Sequence, residues 1–361
     1  MPWNFKPFRL QAFSAFAIFA SVSVCHADLV AHYKFDEAPG SSTAVNAIAA
    51  NGGNGVIGAN VTLGAAGVSG AGFTLNNGAT QADIVDMGNA TDIFSKITAS
   101  GQITLSYWIK STDVSGGRNV AVFMGNDTAT NSYIDSGIAG GAGPNPAPGS
   151  AYGRNRVATN AAANIGEQFG PMVNDDVFNH IALSIDTASN TSTLYVNGSI
   201  AATETSAAKY AAFPAFNNFE IGRLGRSAPT DAFGGVIDDL QVYDKSLSLR
   251  HISAIFNNPG KSLNELPPIV DGDTNGDGLI DAVDFNNIRN SLGYAGLTPG
   301  LGVDIAGNDG IIDFRDLRFF QQKYPAVAAA ALGEAIPEPA SLALGAFAIV
   351  AAAGISRRRR L

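Results

Sequence analysis

The chain has 361 residues, enough for two or three domains, and its 46% hydrophobic and 15% charged content excludes wholesale disorder. Its 41 glycines and 16 prolines suit short strands joined by turns better than a helical bundle. A formal charge of -9 without a basic domain argues against nucleic acid as a partner, and one cysteine excludes a disulfide framework or a thiolate zinc site.

Lys6 and Arg9 precede an apolar run, Leu10–Val24, that closes on Cys25-His26-Ala27, with small residues where a signal peptidase reads. The run has 15 residues and contains Gln11, short of the roughly 18 needed to span a bilayer. Residues 1–27 are therefore expected to be a cleaved signal peptide, and the single cysteine leaves with it.

Residues 28–257 are dominated by short alternating runs. Ile103, Leu105, Tyr107 and Ile109 alternate with Thr104, Ser106, Trp108 and Lys110, the period of a strand with two different faces. His180–Asp186 repeats the pattern, and Thr193–Val196 runs into Asn197-Gly198, a hairpin turn in which both positions want positive φ. Leu29–Phe35, Val120–Gly125, Phe219–Gly222 and Gly235–Tyr243 read as further strands, and Ser248–Phe256 as one helix behind a capping serine. The pattern predicts an all-β sandwich. The glycine-, proline- and asparagine-rich stretch Gly137–Gly149 reads as a long loop, and Tyr133, Tyr152, Arg154 and Arg156 beside it are the candidate sugar-binding side chains.

Several segments carry a family resemblance. Leu29–Glu37 (LVAHYKFDE), Ile103–Lys110, Phe178–Leu183, Leu194–Gly198 and Phe233–Tyr243 resemble, in order, the strands of LamG-like, concanavalin-type jelly rolls. The resemblance implies a two-sheet jelly roll and a structural calcium held by Asp238 with Asp36 or Glu37; the alternative is that an aspartate there caps a turn. Lectins, adhesion modules and glycoside hydrolases share this fold, so it leaves the activity open. Hydrolases of the resembling kind carry Glu-x-Asp-x-x-Glu on one strand; none of the seven glutamates here has an acidic residue two positions away. His32, His180 and His251 lack a serine or cysteine motif and are expected to pack. No catalytic residue is assigned.

Residues 258–270, punctuated by Pro259-Gly260 and Pro267-Pro268, read as a linker. Asp273-Thr-Asn-Gly-Asp-Gly-Leu-Ile-Asp-Ala-Val-Asp284 then has the spacing of a twelve-residue calcium loop. Asp273, Asn275 and Asp277 converge at positions 1, 3 and 5, Leu279 offers its carbonyl, Asp281 acts through water and Asp284 closes the set. A second, irregular copy offers Asp304, Asn308, Asp309, Asp313 and Asp316. Residues 271–324 thus resemble a type I dockerin, an α-helical module of paired calcium loops; the resemblance implies calcium as cofactor and a cohesin-like partner. Its usual serine-threonine contact pair is replaced by Ala282-Val283 and Phe314-Arg315, and a calcium-stiffened stalk is the alternative.

After an alanine-rich linker, 325–335, the sequence reads Pro337-Glu338-Pro339, a 16-residue uncharged apolar stretch Ala340–Ile355, and Arg357–Arg360, arginines that stop transfer across a membrane. Residues 336–361 resemble the PEP-CTERM sorting signal of Gram-negative bacteria, which implies export, transient anchoring in the inner membrane, and cleavage by an exosortase at the Pro-Glu-Pro motif. The expectation is a secreted, surface-sorted, non-catalytic protein that binds extracellular polysaccharide or glycoprotein. The rivals are a component of polysaccharide degradation and a structural envelope or biofilm-matrix protein.

Overall fold

The computed structural model describes residues 29–142, 147–158, 161–266, 272–275, 279–293, 303, 305–306 and 311–333. The proposed signal peptide, the Pro337-Glu338-Pro339 motif, the apolar stretch that follows it, and Asp277, Asp304, Asn308 and Asp309 lie outside the described residues.

Among the described residues, sixteen strands make two antiparallel sheets. In chain order they are β1 Leu29–Tyr33, β2 Thr43–Ala44, β3 Gly55–Ile57, β4 Thr62–Ala66, β5 Ala71–Asn76, β6 Val85–Gly88, β7 Gln102–Lys110 and β8 Arg118–Gly125. There follow β9 Ser132–Ala139, β10 Ser150–Val157, β11 Gly166–Met172, β12 Asn179–Asp186, β13 Thr191–Val196, β14 Ser199–Thr205, β15 Asn218–Ile221 and β16 Gly234–Tyr243. The first sheet runs β14-β13-β12-β7-β16-β5-β4 and the second β11-β10-β9-β8-β15-β6-β3-β2. Along one edge β16 pairs first with β5, through Gly234–Ile237, and then with β1, through Leu240–Tyr243. The changeover falls at a bulge where Asp239 adopts φ 48°.

The expected strands are present, and the Asn197-Gly198 turn has φ 50° and 74°, as a two-residue hairpin with a type I′ geometry requires. The core lies between the sheets, where Tyr33, Phe73, Leu105, Tyr107, Ile181 and Leu183 meet Val122, Met124, Ile134, Ile138, Phe219 and Ile221. Each such side chain contributes roughly 1.5–3 kcal/mol by leaving water.

Four readings change. First, the alternation in β7 does not separate core from solvent: Thr104, Ser106 and Trp108 are buried as well. A helix, Leu249–Asn257, lies over them, with Phe256 stacked on Trp108 at 5.4 Å. Ser248 does occupy its N-cap, but the hydroxyl meets His251 Nδ1 at 2.8 Å instead of a backbone N–H. Second, the first three residues of the supposed loop, 137–139, belong to strand β9, while its other described residues, 140–142 and 147–149, lie outside the strands. Gly137 is glycine because a Cβ there would run into the Asn119 carbonyl of the neighbouring strand, not because the chain turns. Third, a helix not foreseen, Thr91–Ser100, buries Ile93, Phe94 and Ile97 and ends on Gly101 at φ 68°; that spacing and stop were present in the sequence. Fourth, both linkers hold defined structure among their described residues, 258–266 and 325–333. Residues 258–266 lie along the first sheet, held by Gly260 N–H to Asp239, Gln241 to the Lys261 carbonyl, and Leu263 N–H to the Tyr243 hydroxyl.

The alanine-rich segment is a helix, Pro325–Gly333, and with Ala282–Asn290 and Phe314–Lys323 it makes a small helical unit. We number the helices of the described residues α1 Thr91–Ser100, α2 Ala207–Tyr210, α3 Leu249–Asn257, α4 Ala282–Asn290, α5 Phe314–Lys323 and α6 Pro325–Gly333. The core of α4–α6 contains Phe285, Ile288, Val303, Ile312, Phe320 and Ala328.

Candidate functional site

Strand periodicity brings the four sugar-binding candidates together. Tyr133 on β9 and Tyr152, Arg154 and Arg156 on β10 occupy alternate positions, so all four project from the side of the second sheet opposite the core. Arg118 of β8 and Glu167 and Phe169 of β11 join them. The planar groups form a ladder. Arg118 lies 5.3 Å from the Tyr152 ring and 5.4 Å from Phe169, Arg154 lies 5.0 Å from Tyr133 and 5.9 Å from Tyr152, and Arg156 lies 5.9 Å from Tyr133.

Carboxylates fix the rungs. Arg154 donates through Nε and Nη2 to Asp135 at 2.8 and 2.7 Å, and the Tyr152 hydroxyl donates to the same carboxylate at 2.8 Å. Arg118 donates through Nε and Nη2 to Glu167 at 3.1 and 2.6 Å, and Arg156 donates to the Tyr133 hydroxyl at 3.0 Å. Burial works against the Arg154 charge, yet Asp135 outweighs it and holds the guanidinium more firmly protonated than usual. Burial, reinforced by the Asp135 charge, raises the Tyr152 phenol far above its ordinary range.

This changes what the tyrosines can do. Tyr133 and Tyr152 are 0% exposed, packed with Val120, Phe123 and Leu224, so neither presents a ring for a sugar to stack on. What reaches the surface is the edge of the ladder: Arg156, Phe169, and the side chains of Glu167 at 23% and Arg154 and Arg118 at 11%. Sequence reasoning missed Arg118, Asp135, Glu167 and Phe169. The period-two spacing of Tyr133 and Asp135, and of Tyr152, Arg154 and Arg156, was the signal that they share a strand face.

A second carboxylate pair on this face has a different character. Asp86 and Glu220 stand directly opposite across β6 and β15. Glu220 is buried and clamped by Arg223 at 2.7 and 2.8 Å, while burial, added to by the Glu220 charge, raises the Asp86 carboxyl. Sealing makes Glu220 an ion-pair member without access to a substrate.

At the β16 bulge, Asp238 accepts Val68 and Ser69 N–H at 2.8 and 3.1 Å, and Asp36 accepts Ala71 N–H at 2.7 Å. Both of these candidate calcium ligands therefore grip the β4–β5 turn. Burial pushes the Asp238 carboxyl up to about 7. Asp239 turns the other way, to His32 Nε2 at 2.7 Å. His180 faces Ser106 at 2.8 Å and is driven down to about 4 by burial.

In the helical unit, Asp281 and Asp313 cap α4 and α5, accepting Val283 and Arg315 N–H at 2.7 and 2.6 Å. Asp284 accepts Thr274 N–H at 2.7 Å and Asp281 N–H at 2.9 Å; Asp316 accepts Ile305 N–H at 2.8 Å and Asp313 N–H at 2.9 Å. The two loops are thus built alike from their last aspartate back. Asp273 is buried, Leu279 is exposed, and Asn275 lies between them on the loop. Aspartate, asparagine and carbonyl oxygens suit a hard cation, but no group of three or more His, Cys, Asp or Glu poised to hold a metal is assembled among the described residues.

Residues 85–253, from β6 into α3, match the model of a family described as the concanavalin A-like lectin/glucanases superfamily, Laminin_G_3. No curated protein matches the chain. Among solved structures it is similar to CBM40 of the Ruminococcus gnavus IT-sialidase, at 20% identity over 49% of this chain and 91% of that one, with a TM-score of 0.39. Domain 4 of AbnA, a GH43 extracellular arabinanase from Geobacillus stearothermophilus solved with arabinotriose, is 20% identical over 63% of this chain and 97% of that one, at 0.45. A heptameric SAP-like pentraxin from Limulus polyphemus is 15% identical over 47% and 76%, at 0.36.

Proposed function

We propose that this chain is an exported, surface-sorted protein that binds extracellular polysaccharide or glycoprotein at the outer face of its second sheet. The observation that supports the reading is the convergence of Arg118, Arg154, Arg156, Glu167 and Phe169 on one sheet face outside the core, with guanidinium, carboxylate and aromatic edges reaching solvent. Asp135 and the two buried tyrosines hold this surface in place and do not touch the ligand. Sugar hydroxyls would take hydrogen bonds from the arginines and give them to Glu167, while Phe169 would cover an apolar sugar face.

In the same proposal, Asp273, Asn275, Asp277, the Leu279 carbonyl, Asp281 and Asp284 hold calcium at the first loop, and Asp304, Asn308, Asp309, Asp313 and Asp316 are the second set. Bound calcium would supply a divalent charge that draws these oxygens together. The helical unit then serves as the dockerin-like docking piece, for a cohesin-like partner, or as the stalk. Signal peptidase and exosortase process the two ends.

A glycan array probed with the full chain and with Arg156→Ala and Glu167→Ala tests the binding site. The expected result is glycan binding that both substitutions weaken at least tenfold, with the thermal stability of Arg156→Ala staying near that of the parent. A chain that binds no glycan, or an Arg156→Ala variant that binds as well as the parent, overturns the site. Release of reducing sugar would instead favour the degradative reading.

A further inference from the structure

Between Gly140 and Gly166 the chain carries no aspartate and no glutamate; its charged residues there are Arg154 and Arg156. The whole sequence has 31 acidic against 22 basic side chains, so a stretch whose charges are all positive runs against the composition. Strand β10 sets both arginines on the outer face of the second sheet, two residues apart and therefore side by side.

Their surroundings make them a pair. The Arg154 guanidinium lies 5.0 Å and the Arg156 guanidinium 5.9 Å from the centre of one ring, that of Tyr133. Asp135, 0% exposed, pairs with Arg154 from beneath, and Arg156 donates to the Tyr133 hydroxyl. Along the ladder the guanidinium groups of Arg118, Arg154 and Arg156 meet the carboxylates of Asp135 and Glu167. Three cations against two anions leave a positive surplus. It lies toward Arg156, because Asp135 is engaged by Arg154, and Glu167 stands opposite Arg154 and bonds Arg118 at 2.6 Å. Two guanidiniums over one ring repel each other. An anion set between them offsets that repulsion and accepts hydrogen bonds from both.

The ladder also changes character along its length. Phe169 stands opposite Tyr152 and Glu167 opposite Arg154, so the order along β10 is an aromatic ring, a carboxylate and then Arg156. Tyr152 to Arg156 is a strand span of about 13 Å, room for a short oligosaccharide.

We propose that this face selects acidic saccharides, with one carboxylate or sulfate group seated between Arg154 and Arg156 and an apolar sugar face over Phe169. The inference rests on the reading of the second sheet as a glycan-binding surface and adds the charge of the ligand. Glu167, between the two ends, accepts sugar hydroxyls.

Isothermal titration of the full chain with two matched pairs of trisaccharides tests it. One pair is a trisaccharide ending in glucuronate and the methyl ester of that acid. The other is a trisaccharide ending in a sulfate ester and its unsulfated form. The acidic member of at least one pair is expected to bind about tenfold more tightly than its neutral twin, as charge-assisted hydrogen bonds exceed neutral ones. The pair that responds distinguishes carboxylate from sulfate. In Arg156→Ala the preference should shrink to about twofold or less, while Arg156→Lys, which keeps the charge, should retain more of it. Neutral twins that bind the parent as tightly as the acids would sink the acidic specificity and leave the glycan site standing. A preference that Arg156→Ala leaves unchanged would overturn the seat between the two arginines. If none of the four trisaccharides binds, the proposal falls, and the glycan array decides whether the site falls with it.

Discussion

Asp135 illustrates what a buried charge requires. With no exposure of its own, it takes two N–H bonds from Arg154 and one O–H bond from Tyr152. Asp135→Ala leaves the buried Tyr152 phenol without its acceptor and Arg154 with only Glu167, 3.8 Å away, as a carboxylate partner, and should destabilise the chain by about 3–5 kcal/mol. Joint replacement, Asp135→Leu with Arg154→Met, should recover most of the loss, because an apolar pair of similar volume leaves no orphan charge. Urea denaturation of the three variants and parent checks both; an Asp135→Ala cost below about 1 kcal/mol would mean that Arg154 finds water or another acceptor. Asp238 makes a pH prediction. Its carboxyl sits near 7 in the fold against 3.8 otherwise, so the folded state holds a proton that the unfolded state has released. Its contribution is present in acid and is lost as pH rises from about 4 to 7. His180 acts in the opposite sense: held near 4 against 6.5, it costs stability as pH falls through that interval. Asp238→Asn should therefore leave a stability that rises more steeply with pH between 4 and 7 than in the parent. Thermal melts at several pH values decide it; parallel pH profiles would show that Asp238 does not titrate there.

Elements behave as their coverings dictate. β7 was legible as a strand from alternation, yet whether its second face met water depended on α3, whose residues lie about 140 positions further on in the chain. Trp108 and His180 pack beneath that helix, and the Trp108 Nε1 and His180 Nδ1 atoms are buried without hydrogen-bond partners. Ile255→Ala removes a fully buried side chain from the α3 interface and should cost about 2–5 kcal/mol. Trp108 is one of two tryptophans in the chain, so in a Trp3→Phe background the emission should shift to the red if α3 lifts. An unshifted emission after Ile255→Ala would mean that α3 stays docked. In the helical unit, Asp284 and Asp316 play matching parts, each tying the incoming loop and the cap N–H to its helix. Asp284→Ala and Asp316→Ala should each cost about 1–2 kcal/mol of helix stability. Circular dichroism and amide exchange in α4 and α5 read this, and a variant with unchanged exchange would remove its aspartate from the capping role.

For the whole molecule, the β sandwich does not end where its helix ends. Residues 258–266 are fastened to β16 by Asp239, Gln241 and Tyr243, and a capping box from Ser262 to Glu265 shapes the segment. Tyr243→Phe removes the acceptor for Leu263 N–H and should speed exchange and proteolysis across 258–266 while leaving the sandwich intact. Cleavage confined to residues after 266 in both proteins would show that this bond does not hold the segment. An acidic chain with its cations paired inside a sheet face, as Arg118, Arg154 and Arg223 are, keeps its free surface negative.

Local chemistry written into the chain was enough for the strands with clear period-two runs, the Asn197-Gly198 turn, the Ser248 helix start, and the two-sheet sandwich that so many short strands require. Those features depend on neighbours within a few residues. Which faces are covered was decided by contacts between distant segments: α3 over β7, and Leu224 over the tyrosines. The same holds for the candidate site. Its four side chains could be picked out by type, but a tyrosine looks the same in sequence whether its ring meets water or, as at Tyr133 and Tyr152, is closed in by aliphatic neighbours and an arginine ladder. Burial is a property of the space around a residue, and only the packing of distant strands sets it.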